Sequence, residues 1–144
     1  MAHLKGGCLC GEIRISVDEN FRMGLACHCA DCQRYNGGAP AYEAVFSREA
    51  FAVESGSPRV YETQADSGRK ITRHFCGTCG TPLFADLEKL PKHVVVAVGA
   101  LDTPNDFAIA AHIFTQSAPA WHQFTPGADL HPRDFPPPAA KPAA

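Results

Sequence analysis

The chain of 144 residues suffices for one domain with a substantial core, and 45% hydrophobic against 19% charged residues is ordinary for a folded protein. A formal net charge of -2 and a pI near 6.4 give no broad positive field, so neither nucleic acid nor an anionic lipid surface is an expected partner. Seven cysteines, an odd number, exclude a scaffold held by disulfides alone.

The stretch from Met1 to Gly7 lacks the apolar core of a signal peptide, and the longest apolar run, Val94 to Leu101, is too short to cross a bilayer. A cytoplasmic location with no membrane partner is therefore expected, and in that reducing compartment cysteines serve as metal ligands more often than as disulfides. Gly6-Gly7-Cys8-Leu9-Cys10-Gly11 is rich in turn residues and precedes Glu12 to Asp18, whose polar–apolar alternation predicts a half-buried strand. Gly24-Leu25-Ala26 leads into Cys27-His28-Cys29-Ala30-Asp31-Cys32-Gln33-Arg34. Ala30 to Tyr35 suits about two turns of helix, ended by Asn36-Gly37-Gly38. The amides at the start of that helix would face the Cys27 and Cys29 thiolates.

Beyond it, Ala41 to Phe46 predicts a strand, and Ser47 to Phe51 one helical turn capped by Ser47. Ala52-Val53-Glu54 and Arg59 to Thr63 flank Ser55-Gly56-Ser57-Pro58 as an expected hairpin. Lys70 to Phe75 enters a second cysteine pair, followed by Pro82 to Ala85, a buried strand over His93 to Val98, and a last strand within Phe107 to Phe114. From Pro136 only Pro, Ala and Lys remain, too little apolar mass to order. The expected organisation is one zinc-binding β domain over 1–135 and a disordered tail over 136–144.

Cys76-Gly77-Thr78-Cys79-Gly80 has the spacing of a zinc knuckle, its glycines freeing amides to hydrogen-bond the sulfurs. The alternative is a thioredoxin-like redox pair, but no long helix is predicted after it. Cys8 and Cys10, two apart in extended chain, would put both sulfurs on one face with Leu9 turned away into packing. Together the two pairs can close one structural zinc; otherwise Cys8 and Cys10 are incidental buried thiols. Cys27, Cys29 and Cys32 then supply three sulfurs around a second zinc with one position vacant, which usually means chemistry. His28, His74, His112 and His122 are the candidate fourth ligands, and His28 should point away, lying between two same-facing cysteines. Such a site prefers a soft incoming thiolate. Its added charge calls for a nearby cation, for which Arg34 and Arg73 are candidates if they are not solvated surface charge.

These residues carry a resemblance. Gly-Gly-Cys-Leu-Cys-Gly over 6–11, Cys-His-Cys-Ala-Asp-Cys-Gln-Arg over 27–34, Gly-Gly-Ala-Pro over 37–40, Arg-His-Phe-Cys-Gly-Thr-Cys-Gly-Thr-Pro-Leu over 73–83, Val-Gly-Ala-Leu-Asp over 98–102 and His-Ile-Phe over 112–114 resemble the family of glutathione-dependent formaldehyde-activating enzymes, which also contains centromere protein V. The likeness runs from Gly6 to about Trp121, with Ala120 interrupting the family's usual Ala-Pro-Trp order. It implies a mainly β fold of antiparallel sheets in a β-tent arrangement, similar to methionine sulfoxide reductase B. It also implies two zincs, a structural one on Cys8, Cys10, Cys76 and Cys79 and a catalytic one on Cys27, Cys29 and Cys32. The implied activity is carbon–sulfur lyase chemistry, joining or splitting a thiol such as glutathione and a small aldehyde such as formaldehyde. A non-catalytic zinc module on this fold, or a thiol redox protein cycling Cys27, Cys29 and Cys32, are the alternatives.

Overall fold

A computed structural model describes residues 3–136, so the tail expected to be disordered lies, apart from Pro136, outside the described residues. The chain forms β1 (Leu4–Gly7), β2 (Arg14–Val17), β3 (Met23–Cys27), α1 (Ala30–Asn36), β4 (Ala41–Ser47), β5 (Phe51–Ser55), β6 (Arg59–Gln64), β7 (Lys70–Phe75), β8 (Pro82–Leu87), β9 (His93–Ala97), β10 (Ala108–Ile113) and β11 (Asp129–Leu130). Strands β1, β2 and β5 make a small antiparallel sheet; the other eight run in the order β11-β10-β3-β4-β9-β8-β7-β6. The fold is mainly β, as expected. The large sheet is mixed, because β10 lies parallel to both β3 and β11.

The core sits between the two sheets. Leu4, Ile15 and Val17 from the small sheet meet Ala44, Phe46, Leu83, Val94 and Val96 from the large one, all at 2% exposure or less. Alternation along the strands decides which residues go there. On β4 and β9 the residues between Ala44 and Phe46 and between Val94 and Val96 turn to the other face of the large sheet. Glu43 pairs with Ala97, Val45 with Val95, Val95 with Ala85 and Ala85 with Arg73, so these side chains share that face. Glu43, Arg73, Ala85, Val95 and Ala97 accordingly line one cavity there.

Two local expectations fail. The segments around Ser55 to Pro58 do not form a hairpin, since β5 pairs with β2 while β6 pairs with β7. The turn residues carry the chain from one sheet to the other, and Gly56, at φ 79°, passes so close that a Cβ would lie 2.6 Å from Glu12 O. Ser47 precedes a short 3-10 turn over Arg48–Ala50 but makes no side-chain cap; its amide instead donates to Glu19 Oε2 at 3.1 Å.

Candidate metal centres

The first cluster joins the beginning of the chain to its middle. Cys8 follows β1 and Cys10 lies in a tight turn closed by Cys8 N to Ile13 O and Gly11 N to Cys8 O, both 3.1 Å. Cys76 and Cys79 occupy the β7–β8 turn, closed by Gly80 N to Cys76 O at 2.8 Å and Cys76 N to Thr81 O at 3.0 Å. The two turns are tied together by the Leu9 amide, which donates to Thr81 Oγ1 at 3.0 Å. The four sulfurs lie within 4.8 Å of one another, with Cys8 to Cys10 at 3.6 Å and Cys10 to Cys76 at 3.8 Å. Leu9 does turn away from the sulfurs, but into solvent rather than packing: it is 88% exposed.

Those spacings suit a metal. A tetrahedral zinc with sulfur at about 2.3 Å has sulfur–sulfur edges of about 3.8 Å, whereas a disulfide needs about 2.0 Å. All seven cysteines are unpaired. Amides aim at the sulfurs, Ile13 N at Cys8 Sγ (3.2 Å) and Cys79 N at Cys76 Sγ (3.4 Å), as thiolate ligands require. Thr81, through its hydroxyl and amide, pulls the Cys79 thiol down to about 5.

The second cluster is built on the β3–α1 junction. Cys27 ends β3, Cys29 is the N-cap of α1 and Cys32 lies in its first turn. A cap residue leaves extended backbone (φ -61°, ψ 153°) while its side chain takes a free helical amide, and here the Cys29 sulfur accepts from Cys32 N at 3.3 Å. Cys27 Sγ lies 3.5 Å from Cys29 Sγ, and all three sulfurs fall within 4.8 Å of one another. The neighbouring Cys27 and Cys32 sulfurs, helped by the Cys32 amide and Arg73, pull the Cys29 thiol down to about 2, while Cys27 and Cys32 are pushed up. At the other end of α1, Gly37 adopts φ 72° and closes the helix through its amide to Gln33 O.

This cluster opens on the cavity. Cys27, Cys29 and Cys32 line a space of about 690 Å³, and none of the other four cysteines does. Glu43 Oε1 stands 3.9 Å from Cys32 Sγ, and burial together with the charge of Cys29, opposed by Arg73, lifts its carboxyl to about 7. Arg73 is 7% exposed, donates through Nη1 to Thr63 Oγ1 at 2.8 Å and lies over the Tyr35 ring with Cζ 5.3 Å from its centroid. Of the two candidate cations, Arg73 therefore lines the cavity, while Arg34 is exposed and does not.

None of the four candidate histidines joins the three sulfurs in a cluster. His74 bonds to Asp86 at 2.9 Å and stacks on Phe84. His28 points away from the sulfurs, as alternation requires, and meets His112 and His122, one nitrogen of each lying within 4.8 Å of the others. That group does not have metal spacing. His28 Nε2 and His112 Nδ1 are 2.8 Å apart, against about 3.3 to 3.4 Å between nitrogens of a tetrahedral zinc site. The Thr125 amide donates to His112 Nε2 at 3.1 Å, which puts the proton of a neutral His112 on Nδ1, donating to His28. His28 is pinned on its backbone as well, N to Ile113 O at 3.0 Å and O from Gln33 Nε2 at 2.8 Å. The histidines thus brace the chain between two of the cysteines.

Tyr35 and Glu43 were not singled out in the sequence. Their signals are faint: Tyr35 lies three residues after Cys32 and so on its helix face, and Glu43 is an acid inside an apolar strand.

Among the described residues no helix is long and apolar enough to cross a membrane. A family model described as glutathione-dependent formaldehyde-activating enzyme matches residues 3–117. A Fusarium vanettenii protein with the provisional name glutathione-dependent formaldehyde-activating enzyme is 27% identical over 93 residues, covering 61% of this chain and 49% of that protein. A Penicillium rubens protein with the same provisional name is 26% identical over 86 residues, covering 60% of this chain and 44% of its own length. The chain thus spans about half the length of the curated relatives it matches. The crystal structure of a Rhodobacter sphaeroides protein superimposes with a TM-score of 0.55 at 26% identity, over 68% of this chain and 87% of that one.

Proposed function

The chain belongs to the glutathione-dependent formaldehyde-activating enzyme family, and on that premise we propose that it is a zinc-dependent carbon–sulfur lyase. It joins a thiol of the glutathione type to a small aldehyde, or splits the adduct, at the Cys27, Cys29 and Cys32 centre. The observation that carries this reading is the division of the cysteines: the three-sulfur cluster lines the cavity and the four-sulfur cluster does not. Cys8, Cys10, Cys76 and Cys79 satisfy a tetrahedral ion by themselves and serve structure. Zinc held by three thiolates supplies a soft position at which a substrate thiol is kept ionised at neutral pH.

The remaining roles fall to the chain's own groups. Cys29, capping α1, is set by the Cys32 amide, which fixes the direction of one sulfur. Arg73, buried beside the cluster, offsets the negative charge gathered by the cysteine sulfurs and an incoming thiolate. The apolar walls, including Val95, Ala97 and Ile113, exclude water from the reacting sulfur.

The test compares the parent with Cys29→Ser. Zinc per chain and the rate of adduct formation from glutathione and formaldehyde are measured, the latter by NMR exchange against the uncatalysed background. The parent is expected to hold two zincs and accelerate the exchange; the variant should keep its fold, lose one zinc and lose the acceleration. A variant with two zincs and full turnover contradicts the assignment.

A further inference from the structure

Among the described residues Phe114 is the one non-glycine with a positive φ, 54° with ψ 39°. A bulky side chain is rarely held in the left-handed region, and such strain persists only where the surroundings over-determine it. Here they do. The Phe114 amide donates to Arg133 O at 2.9 Å, Thr115 N to His131 O at 3.1 Å and Ser117 N to Phe114 O at 3.0 Å. Ser117 O in turn accepts from Gln33 Nε2 at 2.9 Å, and the same nitrogen donates to His28 O at 2.8 Å, between two of the cysteines. The strained turn is therefore fastened to the backbone of the three-cysteine centre.

Strand alternation shows what the strain achieves. Ile113 lies opposite Cys27 and lines the cavity with it, while His112 lies opposite Ala26 and meets His28 on the other face. An extended residue 114 would follow His112 to that other face. The left-handed φ rotates its Cβ by nearly half a turn from the extended direction. Phe114 then lines the cavity directly after Ile113 and packs against the group formed by Cys27, Cys32, Ala41 and Ile113. Two consecutive residues thus share the cavity side, which a regular strand does not allow. A phenyl ring carries no charge and no exchangeable proton, so its contribution there is volume.

We propose that Phe114 is a specificity-determining residue: its ring takes up space beside the three sulfurs and sets the bulk of the electrophile that reaches a thiolate held there. This rests on the lyase reading above and deepens it, because it names what limits the electrophile. A carbonyl carbon bearing only hydrogen passes the ring, whereas one bearing a branched substituent meets it. Removing the ring should therefore change selectivity while leaving the metal in place.

Phe114→Ala and Phe114→Gly test this with glutathione and two aldehydes, formaldehyde and 2-methylpropanal, the rates read by NMR exchange above the uncatalysed background. The parent is expected to accelerate the formaldehyde reaction and to discriminate against 2-methylpropanal. In both variants the ratio of kcat/KM for 2-methylpropanal to that for formaldehyde should rise roughly 10- to 200-fold, the range for a methylene-sized change in an apolar pocket. Zinc content should stay parental. Glycine accepts the left-handed turn, so Phe114→Gly should melt no lower than Phe114→Ala. An unchanged ratio in either folded variant overturns the proposal, as does an equal loss with both aldehydes, the mark of a merely structural residue. Lost zinc, failure of both variants to fold, or a glycine variant melting below the alanine one overturns it as well. A parent that accelerates neither reaction overturns the lyase reading and this proposal together, whereas an active parent whose variants keep its ratio overturns this proposal alone.

Discussion

At the residue scale the sharpest division is between sulfurs that face each other and the side chains that hold their backbone still. His28 makes the point, since it sits between Cys27 and Cys29 yet spends its ring on His112, away from both. If the Thr125–His112–His28 chain braces the centre, His112→Leu should weaken metal binding by Cys27, Cys29 and Cys32 about 10- to 100-fold, the usual effect of losing an outer partner. Binding by the other four cysteines should not change. Asparagine puts an amide nitrogen near the position of Nδ1, so His112→Asn should recover most of the loss. Competition with a graded chelator measures both centres in one titration, and equal affinities in all three proteins would remove the bracing role. The cysteines and the outward turn of His28 were legible because thiol spacing and strand alternation are local properties of the chain. Glu43 and Tyr35 were hidden because both lie in the wall of a cavity that α1 and β4 complete only with β7, which comes much later in the sequence.

At the scale of elements, local chemistry settled α1, β4, β7 and β9. The helix had a terminating glycine, and β9 had a continuous β-branched run. Strand β1 was hidden by its glycines, which read as turn residues. They are there for close approach: a Cβ on Gly6 would stand 2.3 Å from Ala100 O and 2.9 Å from Leu101 Cα, where Gly6 bridges to Leu101. Gly6→Ala must push two backbones apart and should cost about 1 to 3 kcal/mol or more, the range for overpacking a tight site. Denaturant unfolding monitored by circular dichroism reads this directly, and a variant of parental stability would show that β1 can shift freely. The hairpin expected around Gly56 failed for the complementary reason. A turn signal marks where the chain reverses or bends, not which strand will pair with it, and β5 found its partner in β2.

For the whole molecule the four-sulfur cluster is the place where a bound ion would act as a staple. Cys8 and Cys10 follow the first strand of the small sheet, while Cys76 and Cys79 join two strands of the large one, so an ion there fastens the sheets across the end of their shared core. Structural zinc contributes about 10 to 16 kcal/mol of apparent binding energy in small domains, comparable to a whole domain's stability of about 5 to 15. Cys76→Ala should therefore give an unfolded or aggregated chain. A soluble, folded Cys76→Ala protein with unchanged zinc would refute the staple. The same contrast explains why loss of Cys29 is expected to spare the fold: its cluster lies at the end of one strand and on one short helix, and the main core does not include it. The grouping of the cysteines into a set of four and a set of three was legible in the sequence. Which set faced a cavity was not, because that depends on strand order.

The central claim is that two zincs differ in their free positions, and X-ray absorption at the zinc edge with and without glutathione tests it most directly. A four-sulfur and a three-sulfur centre average about 3.5 sulfurs per zinc, with a light-atom shell near 2.0 Å completing the open one. Adding the thiol should raise the average to about 4 and remove the light atoms. Four sulfurs per zinc before addition, or a spectrum that glutathione leaves unchanged, would contradict the account.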